Sequence, residues 1–387
     1  MKHLKTLAAA ALAVGALGTT ASAQQGLLIS EFVVTPTDGE FVEIYNSTGA
    51  AIDLTDVYLS DATFGGGGVF YYNIVIGNPG GGSFGDFTAR FPAGASIGSG
   101  EYQTVALNGS DAFFAEYGVD CTYEIAEDGL VADAIPDMLE AVPGSINSSG
   151  DPANDLQAGL TNGDEIVILF AWDGVSDLVT DLDQVNWGGS NEKVDKTGVS
   201  IDGPDADTDT STYADELPFA EQDDAASPGS GSSAQRINLS EGLEEITGGN
   251  GATGADETTE NVSATFATAA PTPNAAAVGS TTVIVAPGVQ GVANTFSFGG
   301  ANPGDMLFLF FGFDTGVQPL PQCPDLALNV ALGGSSLLIT RVADGAGEYS
   351  FGGDLPDVDM DLFIQVVSAG MGGADCRITN LALAADG

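Results

Sequence analysis

Four carboxylates in the middle of the chain have the spacing of a calcium-binding loop. Asp205, Asp207 and Asp209 occupy alternate positions in the segment DADTDTSTYADE, and Glu216 follows at the place of the last loop ligand. Hard oxygen ligands at this spacing suit calcium. Against this, the sixth position is Thr210 where the tight turn requires glycine, and no helical pattern flanks the loop. We therefore expect a solvated acidic loop, with a calcium site as the alternative.

Histidine chemistry is excluded by the position of the single histidine. His3 lies between Lys2 and Lys5, ahead of the apolar run LAAAALAVGALG and the small-residue site ASA at 21–23. This order is that of a Sec-type signal peptide over residues 1–23, and it predicts a secreted, extracellular or cell-surface protein. Without that segment the chain has no histidine. Ser-His-Asp and Cys-His nucleophiles and imidazole zinc sites are then excluded.

The charge balance argues against nucleic acid and other polyanions as partners. The chain has 54 acidic and 8 basic side chains, with a formal net charge of −46. Binding to a nucleic-acid backbone needs clustered Lys and Arg. Beyond the signal peptide no apolar run is long enough to span a bilayer, so an unidentified protein or cell-surface structure is the expected partner. The basic residues of this part are scattered: Arg90, Lys193, Lys196, Arg236, Arg341 and Arg377.

Catalysis by paired carboxylates is the remaining enzymatic possibility, since such pairs serve glycosidases. No stretch of the chain supplies a recognised catalytic motif, so we predict no enzyme, no catalytic residue and no cofactor other than the calcium of the alternative above. No ligand-binding residue is assigned from the sequence.

Three cysteines bear on the compartment and on the domain organisation. Cys323 and Cys376 fall in the same C-terminal part of a chain predicted to be exported, so we expect them to form a disulfide. Cys121 is left over, and a buried thiol is the preferred interpretation over an intermolecular bridge.

The elements that must position these residues are almost all strands. Short alternating or fully apolar runs are separated by Gly, Asn, Asp and Pro, which is typical of an all-β protein, and one helix is predicted at 111–117. The register of strand signals restarts after AAPTPNAAA at 269–277, so we predict two β-sandwich domains, residues 24–276 and 277–387. The predicted strands are 27–34, 40–45, 69–76, 102–107, 165–170, 184–187, 281–285, 295–298, 306–311, 337–342, 361–367 and 378–383.

The first domain resembles a known family. The stretch LLISEFVVTPTDGEFVEIYNSTGAAIDLTDVYLSD at 27–61 is similar to the opening of a lamin tail domain. The later segments LTNGDEIVILFAWDG, DLDQVNWG, SSAQRIN and FATAAPTPNAA follow in the family's order, so the resemblance covers residues 24–276. It implies an immunoglobulin-like β-sandwich that acts as an interaction module, without catalysis. Residues 62–86, 120–158 and 189–230 are insertions, for which the family implies nothing.

The resemblance and the composition suggest roles for a few further residues. Glu43 and Asn46 are expected to fix a turn by hydrogen bonds to nearby backbone or to Arg236, and both Trp187 and Trp172 are expected in the core. Residues 188–254 contain few large apolar residues and are predicted to form long, partly mobile surface excursions. The C-terminal part loosely resembles an uncharacterised disulfide-bearing β module of secreted bacterial proteins.

The sequence thus predicts a secreted or cell-surface, non-catalytic interaction or structural module built on a lamin-tail-like domain. The alternative is a calcium-dependent glycan-binding or hydrolase-accessory protein that uses its acidic loops.

Overall fold

A computed structural model describes most of the chain beyond the first 25 residues. The predicted signal peptide, residues 1–23, lies outside the described residues. The described ranges are 26–63, 70–83, 85–125, 134–148, 156–189, 192–239, 241–275, 282–286, 288–302, 304–313, 315–320, 323–330, 337–345, 347–355, 362–370, 376–379 and 382–384.

Strands dominate the described structure, as the sequence predicts. The strands before residue 270 are β1 (Leu27–Val33), β2 (Phe41–Asn46), β3 (Ile52–Asp53), β4 (Val57–Ser60), β5 (Thr88–Arg90), β6 (Ser96–Ile97), β7 (Tyr102–Ala106), β8 (Tyr123–Glu124), β9 (Leu139–Glu140), β10 (Asn147–Ser148), β11 (Leu156–Gln157), β12 (Glu165–Ala171), β13 (Thr180–Trp187), β14 (Ser200–Ile201), β15 (Ser211–Thr212), β16 (Ser233–Arg236) and β17 (Phe266–Ala269).

Helices in the same part are short. The helix predicted at 111–117 is confirmed as α1. The helical segments are α1 (Ser110–Tyr117), α2 (Val262–Thr265) and the 3-10 turns η1 (Thr37–Gly39), η2 (Tyr71–Ile76), η3 (Ala252–Gly254) and η4 (Glu257–Thr259).

Two large sheets form the N-terminal sandwich. One has the strand order β17-β16-β1-β2-β7-β8 and the other the order β13-β12-β4-β5-β9. Neighbouring strands are antiparallel except for β7 and β8. The core between the sheets includes Ile29 of β1, Ile44 of β2 and Leu169 of β12, all fully buried. This architecture is all-β and immunoglobulin-like, as predicted.

The second sheet is buried on both faces, which explains the unbroken apolar sequence EIVILFA of β12. Val167 and Leu169 face the sandwich core, whereas Ile168 and Phe170 face a second cluster on the outer side. That outer cluster is supplied by two insertions of the family pattern, 62–86 and 189–230. Its members include Tyr71, Tyr72, Ile74, Val75, Val194, Ile201 and Tyr213.

The strand predicted at 69–76 is wrong, because residues Tyr71–Ile76 form η2. Tyr71, Tyr72, Ile74 and Val75 are buried, while Asn73 is half-buried and Ile76 is exposed. Burial of two residues in every three is the period of a 3-10 turn, not the period of two that a half-buried strand would show. Because Ile76 is apolar although it is exposed, the pattern of apolar residues in the sequence does not show this period.

Residues 188–254 are more firmly attached than the sequence predicts. The segment docks several large side chains, including Val194, Lys196 and Tyr213, against the outer face of the second sheet. Long exposed stretches remain between them, such as 204–210. Buried polar contacts of Lys193, Lys196 and Gln222 add to the few apolar residues that attach this segment.

The strands beyond residue 281 pair with one another. They form the sheets β18-β19-β24 and β23-β20-β25-β26, with β27 beside β25, and the hairpin β21-β22. The predicted domain boundary at 276/277 lies outside the described residues. The strands are β18 (Thr282–Ala286), β19 (Ala293–Gly299), β20 (Met306–Gly312), β21 (Thr315–Leu320), β22 (Cys323–Val330), β23 (Leu337–Val342), β24 (Tyr349–Asp354), β25 (Leu362–Ala369), β26 (Arg377–Ile378) and β27 (Ala382–Ala384).

Candidate functional site: buried charges of the N-terminal sandwich

The predicted calcium loop does not assemble its four ligands in this structure. Asp205, Asp207 and Asp209 are exposed, and Asp205 and Asp207 each accept a hydrogen bond from the backbone amide two residues on. Glu216 is buried and turns to the interior, where its Oε1 lies 2.9 Å from Lys196 Nζ. Glu216 therefore has a structural partner of its own, and calcium binding by the four residues stays a prediction.

Lys196 is fully buried at the centre of a polar network under the second sheet. Its ammonium pairs with Asp181 of β13 and Glu216, and donates to Tyr71 Oη at 2.8 Å. Burial lowers the pKa of Lys196, but the charges of Asp181, Tyr71 and Glu216 together outweigh this effect, and the net shift is upward. The ion pair with Asp181 attaches the 189–230 insertion to β13. Tyr71 Oη donates to Asp181 at 2.7 Å and attaches η2 to the same strand.

Arg236 forms a second buried network, two residues along β13 from the first. Its Nη2 donates to both carboxylate oxygens of Asp183 at 2.7 Å, and its Nη1 donates to Glu260 Oε1 at 2.6 Å. Nε donates to the Ile29 carbonyl at 2.8 Å, and the guanidinium lies over the Phe266 ring. Nη2 also donates to Glu260 Oε2 at 3.3 Å, so two nitrogens bind the two oxygens of Glu260 in the fork geometry that is specific to arginine. Arg236 thus ties β16 to β1, β13 and the segment after η4.

An acidic cavity adjoins the Arg236 network; we use this name for the space lined by Glu241, Glu244 and Glu257, together with the neighbouring carboxylate of Asp183. Carboxylate oxygens of Asp183, Glu241 and Glu257 lie within 4.8 Å of one another. Glu241, Glu244 and Glu257 line a cavity of about 50 Å³. One oxygen each of Glu244 and Glu257 is buried without a hydrogen-bond partner. The sandwich therefore concentrates negative charge where water is scarce.

Electrostatics in the acidic cavity disfavour ionisation of all its members at once. Burial raises the pKa of Glu241, Glu244 and Glu257 well above the ordinary value. Mutual repulsion adds to the effect: Glu257 raises the pKa of Glu244, and Glu241 raises that of Glu257. Arg236 lowers the pKa of Glu241 but is already held by two other carboxylates.

Sequence reasoning missed the residues of this cavity. Glu241 and Glu244 lie in SEGLEEITGG, within a segment predicted as surface, and Glu257 follows in DETTE. The available signal was Ile246 and Leu239, apolar residues that interrupt an otherwise polar stretch and line the same cavity. Positions 183 and 257 meet only through the pairing of distant strands and turns, which no local pattern reveals.

Glu43 and Asn46 do fix local structure, but neither uses Arg236. Glu43 accepts from Ser30 Oγ at 2.7 Å and from the Asn274 amide at 2.6 Å. Asn46 donates to the carbonyls of Ala50 and Ile97. The predicted hydrogen bond to nearby backbone is present for Asn46, whereas the backbone partner of Glu43 lies 231 residues away in the chain. Arg236, the alternative partner, instead binds Asp183 and Glu260.

The segment PTPN is held by buried glutamates of the first two strands. The backbone amide and hydroxyl of Thr272 donate to Glu31, and Asn274 binds Glu43 as described. Gln235 Nε2 also donates to Glu31, at 3.0 Å. The motif identified from the sequence as a domain end therefore closes onto the start of the same sandwich.

The tryptophans and cysteines are placed as follows. Trp187 is buried and stacks on Phe32, as expected, whereas Trp172 is only half-buried and donates to the Ser176 carbonyl. Cys121 is a buried thiol packed near Phe41 and Phe113. Cys376 packs near Val367 and Ile378, but the side chain of Cys323 lies outside the described residues. The disulfide remains a prediction.

Comparisons with known proteins identify one family. Residues 20–189 match the family described as Lamin Tail Domain. This match ends before β16 and β17, which complete the first sheet. No curated relative matches the chain. In the described part, no helix is both long and apolar enough to span a membrane.

Two solved structures show weak overall likeness. The crystal structure of a Salmonella alpha-2-macroglobulin mutant is 9% identical, with a TM-score of 0.20, and the match covers 93% of this chain and 32% of that one. A tetra-tandem repeat from the extending region of a large adhesion protein is 12% identical, with a TM-score of 0.16 and coverage of 92% and 98%. This chain thus spans about a third of the first protein's length.

Proposed function

We propose, from the match of residues 20–189 to the lamin tail domain, that this protein is a secreted or cell-surface, non-catalytic module for protein interaction or structural support. The family is immunoglobulin-like and non-enzymatic. The excess of 54 acidic over 8 basic side chains favours solubility of such a module and repels polyanions.

One observation carries the proposal: the most chemically capable groups of the N-terminal sandwich are turned inward and held by one another. Lys196 and Arg236 are both fully buried, and each pairs with two carboxylates. Asp183 is bound by Arg236 and by the Ile29 amide, so it is not poised as a general base or nucleophile. These groups support the fold, and the exposed surface is left for contact with a partner.

The proposal is tested by binding and by activity on the full secreted chain. N-terminal sequencing of released protein is expected to begin at Gln24. Labelled protein should bind saturably to cells of the producing organism, and unlabelled protein should compete while polyglutamate of equal charge should not. Glycosidase and phosphoesterase assays should show no turnover. Turnover that disappears in Asp183→Asn, or binding abolished by polyglutamate, would contradict the proposal.

A second candidate function, calcium-dependent glycan binding or hydrolase assistance, is favoured by the exposed side of the 200–210 loop. Carboxylate oxygens of Asp177, Asp202 and Asp205 lie within 4.8 Å of one another there. A glycan array probed with and without calcium distinguishes this candidate: calcium-dependent binding lost in Asp205→Asn would favour it over the proposal above.

The predicted disulfide between Cys323 and Cys376 belongs with export to an oxidising compartment. Mass mapping of unreduced peptides is expected to recover the two cysteines in one linked pair and Cys121 as a thiol. A bridge from Cys121 to either of them would instead tie the two predicted domains together, and the boundary at 276/277 would be wrong.

A further inference from the structure

The acidic cavity and the Arg236 network together hold more carboxyl groups than Arg236 can pair with. Five carboxylates meet there, and Arg236 is the cation that contacts two of them. Isolated ionised carboxylates are costly to bury, and a native interior removes that cost by pairing, by protonation or by a bound metal ion. The five are Asp183, Glu241, Glu244, Glu257 and Glu260.

The arrangement is more than a cluster of acids, because unused acceptor atoms face the same small space. Glu244 is 2% exposed and Glu257 5% exposed, and both line the cavity. Oε1 of Glu244 and Oε2 of Glu257 have no hydrogen-bond partner. Native proteins rarely leave such buried atoms unsatisfied, so their presence indicates a missing partner.

Asp183 connects the cavity to the rigid part of the fold. Its Oδ2 accepts from Ile29 N and Arg236, whereas Oδ1 accepts from Arg236. A carboxylate oxygen has two lone pairs, so Oδ1 retains one for a further partner. Arg236 and β13 hold this oxygen in place, as the outer shell of a metal site orients its ligands.

We propose that the acidic cavity binds one calcium ion, with Asp183, Glu241 and Glu257 as ligands and Glu244 as a fourth or as the holder of a bound water. An ion between oxygens that are at most 4.8 Å apart reaches them at calcium's usual distance of about 2.3–2.6 Å. Calcium accepts irregular all-protein oxygen cages, whereas magnesium keeps most of its waters, and the cavity of about 50 Å³ has little space for them.

Calcium in this position would link three separate elements. Asp183 belongs to β13, Glu257 begins η4, and Glu241 lies in the turn between β16 and η3, where its backbone is left-handed with φ 57°. The ion would thus fasten residues 241–257 to the sandwich. This inference does not depend on the proposed function, and its residues differ from those of the 205–216 loop.

The test compares two matched sets of carboxylate-to-amide variants in the full chain after chelator treatment. Glu257→Gln and Glu244→Gln alter the acidic cavity, whereas the double variant Asp207→Asn/Asp209→Asn alters the exposed loop. Calcium binding is measured by titration calorimetry, and thermal stability is measured with and without calcium. Magnesium at the same concentration is the ion control, and circular dichroism verifies folding.

The expected result is one saturable calcium site in the wild type that raises the melting temperature. Glu257→Gln should weaken it at least about 100-fold, since loss of a supporting residue alone costs 10–100-fold, and the loop variant should retain it. Without calcium, Glu257→Gln should melt higher than the wild type, because a repelling buried charge is gone. A merely misfolded variant would melt lower.

Three outcomes would overturn the proposal. One is the absence of calcium heat and of any shift in melting temperature in the wild type, which would mean that protons neutralise the cavity. Another is a site that survives in both Glu257→Gln and Glu244→Gln. The third is a site lost only in the loop variant, which would assign calcium to Asp207 and Asp209 instead.

Discussion

At the scale of single residues, the sandwich buries three of its few cations, Lys193, Lys196 and Arg236, and two of them pair with β13. Lys196 pairs with Asp181 and Arg236 pairs with Asp183, so successive inward charges of β13 each hold a different part of the chain. Removing a charge from water costs free energy, and a buried ion pair adds little net stability compared with an apolar replacement. The cost of removing one partner is large, however, because the other charge remains buried. These pairs therefore specify where the insertions and the closing strands attach.

Replacing Arg236 by methionine should lower the free energy of unfolding by about 3–5 kcal/mol, since it leaves Asp183 and Glu260 buried without their cation. The matched control is Arg90→Met. Arg90 forms a partly exposed pair with Asp56 at 3.7 Å, and its loss should cost at most about 1 kcal/mol. Urea unfolding of both variants measures the difference. Equal costs for the two would contradict the role given to Arg236.

Stability should fall as the pH rises from about 4.5 to about 8. Burial raises the pKa of Glu40 to about 7, and those of Glu43 and Glu165 to about 8. The native state then binds more protons than the unfolded chain in this window, so the slope of unfolding free energy against pH is negative. The stabilisation is complete below the unfolded pKa of 4.5 and is lost as the pH passes through 7 and 8.

Urea midpoints across this pH range test the sign, and Glu43→Gln should flatten the slope because the amide has no proton to lose. The exposed Glu116, changed to glutamine, serves as the control and should leave the slope as it is. A midpoint that rises steadily between pH 4.5 and 8 would show that these glutamates are ionised at little cost in the native state.

At the scale of elements, the hairpin of β12 and β13 organises the sandwich, and its ends depend on glycine for different reasons. Gly174 lies in the connecting turn and Gly188 directly follows β13; both have φ near 81°. A Cβ at Gly174 would meet nothing within 4 Å, whereas at Gly188 it would lie 1.8 Å from the Gly163 carbonyl oxygen. Alanine at Gly174 would therefore add only backbone strain, whereas alanine at Gly188 would add a steric clash as well.

Gly174→Ala should therefore cost about 1–2 kcal/mol, the strain of a left-handed alanine. Gly188→Ala should cost more than about 3 kcal/mol, because the backbone of Gly163 must also move away from the new methyl group. Thermal unfolding of the two variants measures the difference. If they lose the same stability, the close approach at Gly188 is not a constraint on the fold.

Much of this element structure could be predicted from the sequence, and the failures have physical causes. The strand at 165–170 was predicted because its β-branched and aromatic run is continuous, and the structure confirms it as β12. The run at 69–76 is also rich in β-branched and aromatic residues, which led to the wrong prediction of a strand. In the structure it buries two residues in every three, the period of a 3-10 turn. Glu216, the predicted last ligand of the calcium loop, instead pairs with Lys196. This contact depends on how the 189–230 insertion folds back on the sheet, which the sequence does not show.

At the scale of the whole molecule, the charge of −46 acts on stability through repulsion between exposed carboxylates. The Debye length shrinks from about 10 Å at 0.1 M salt to about 3 Å at 1 M, so sodium chloride should raise the urea midpoint. Glu257→Gln removes the proposed calcium site, and in that variant calcium and sodium at equal ionic strength should act nearly alike. A midpoint that does not respond to salt would mean that surface repulsion is negligible.

The central place of β1 in its sheet sets an order of assembly. β1 is the first strand of the described structure, yet it lies between β2 and β16, and Glu31 accepts a hydrogen bond from Gln235, 204 residues further on. Closing so long a segment loses chain entropy before any contact is gained, so the first strand is enclosed late. A nascent or truncated chain that stops before Arg236 consequently presents one side of β1 as an open, apolar sheet edge, the kind of surface on which chains associate.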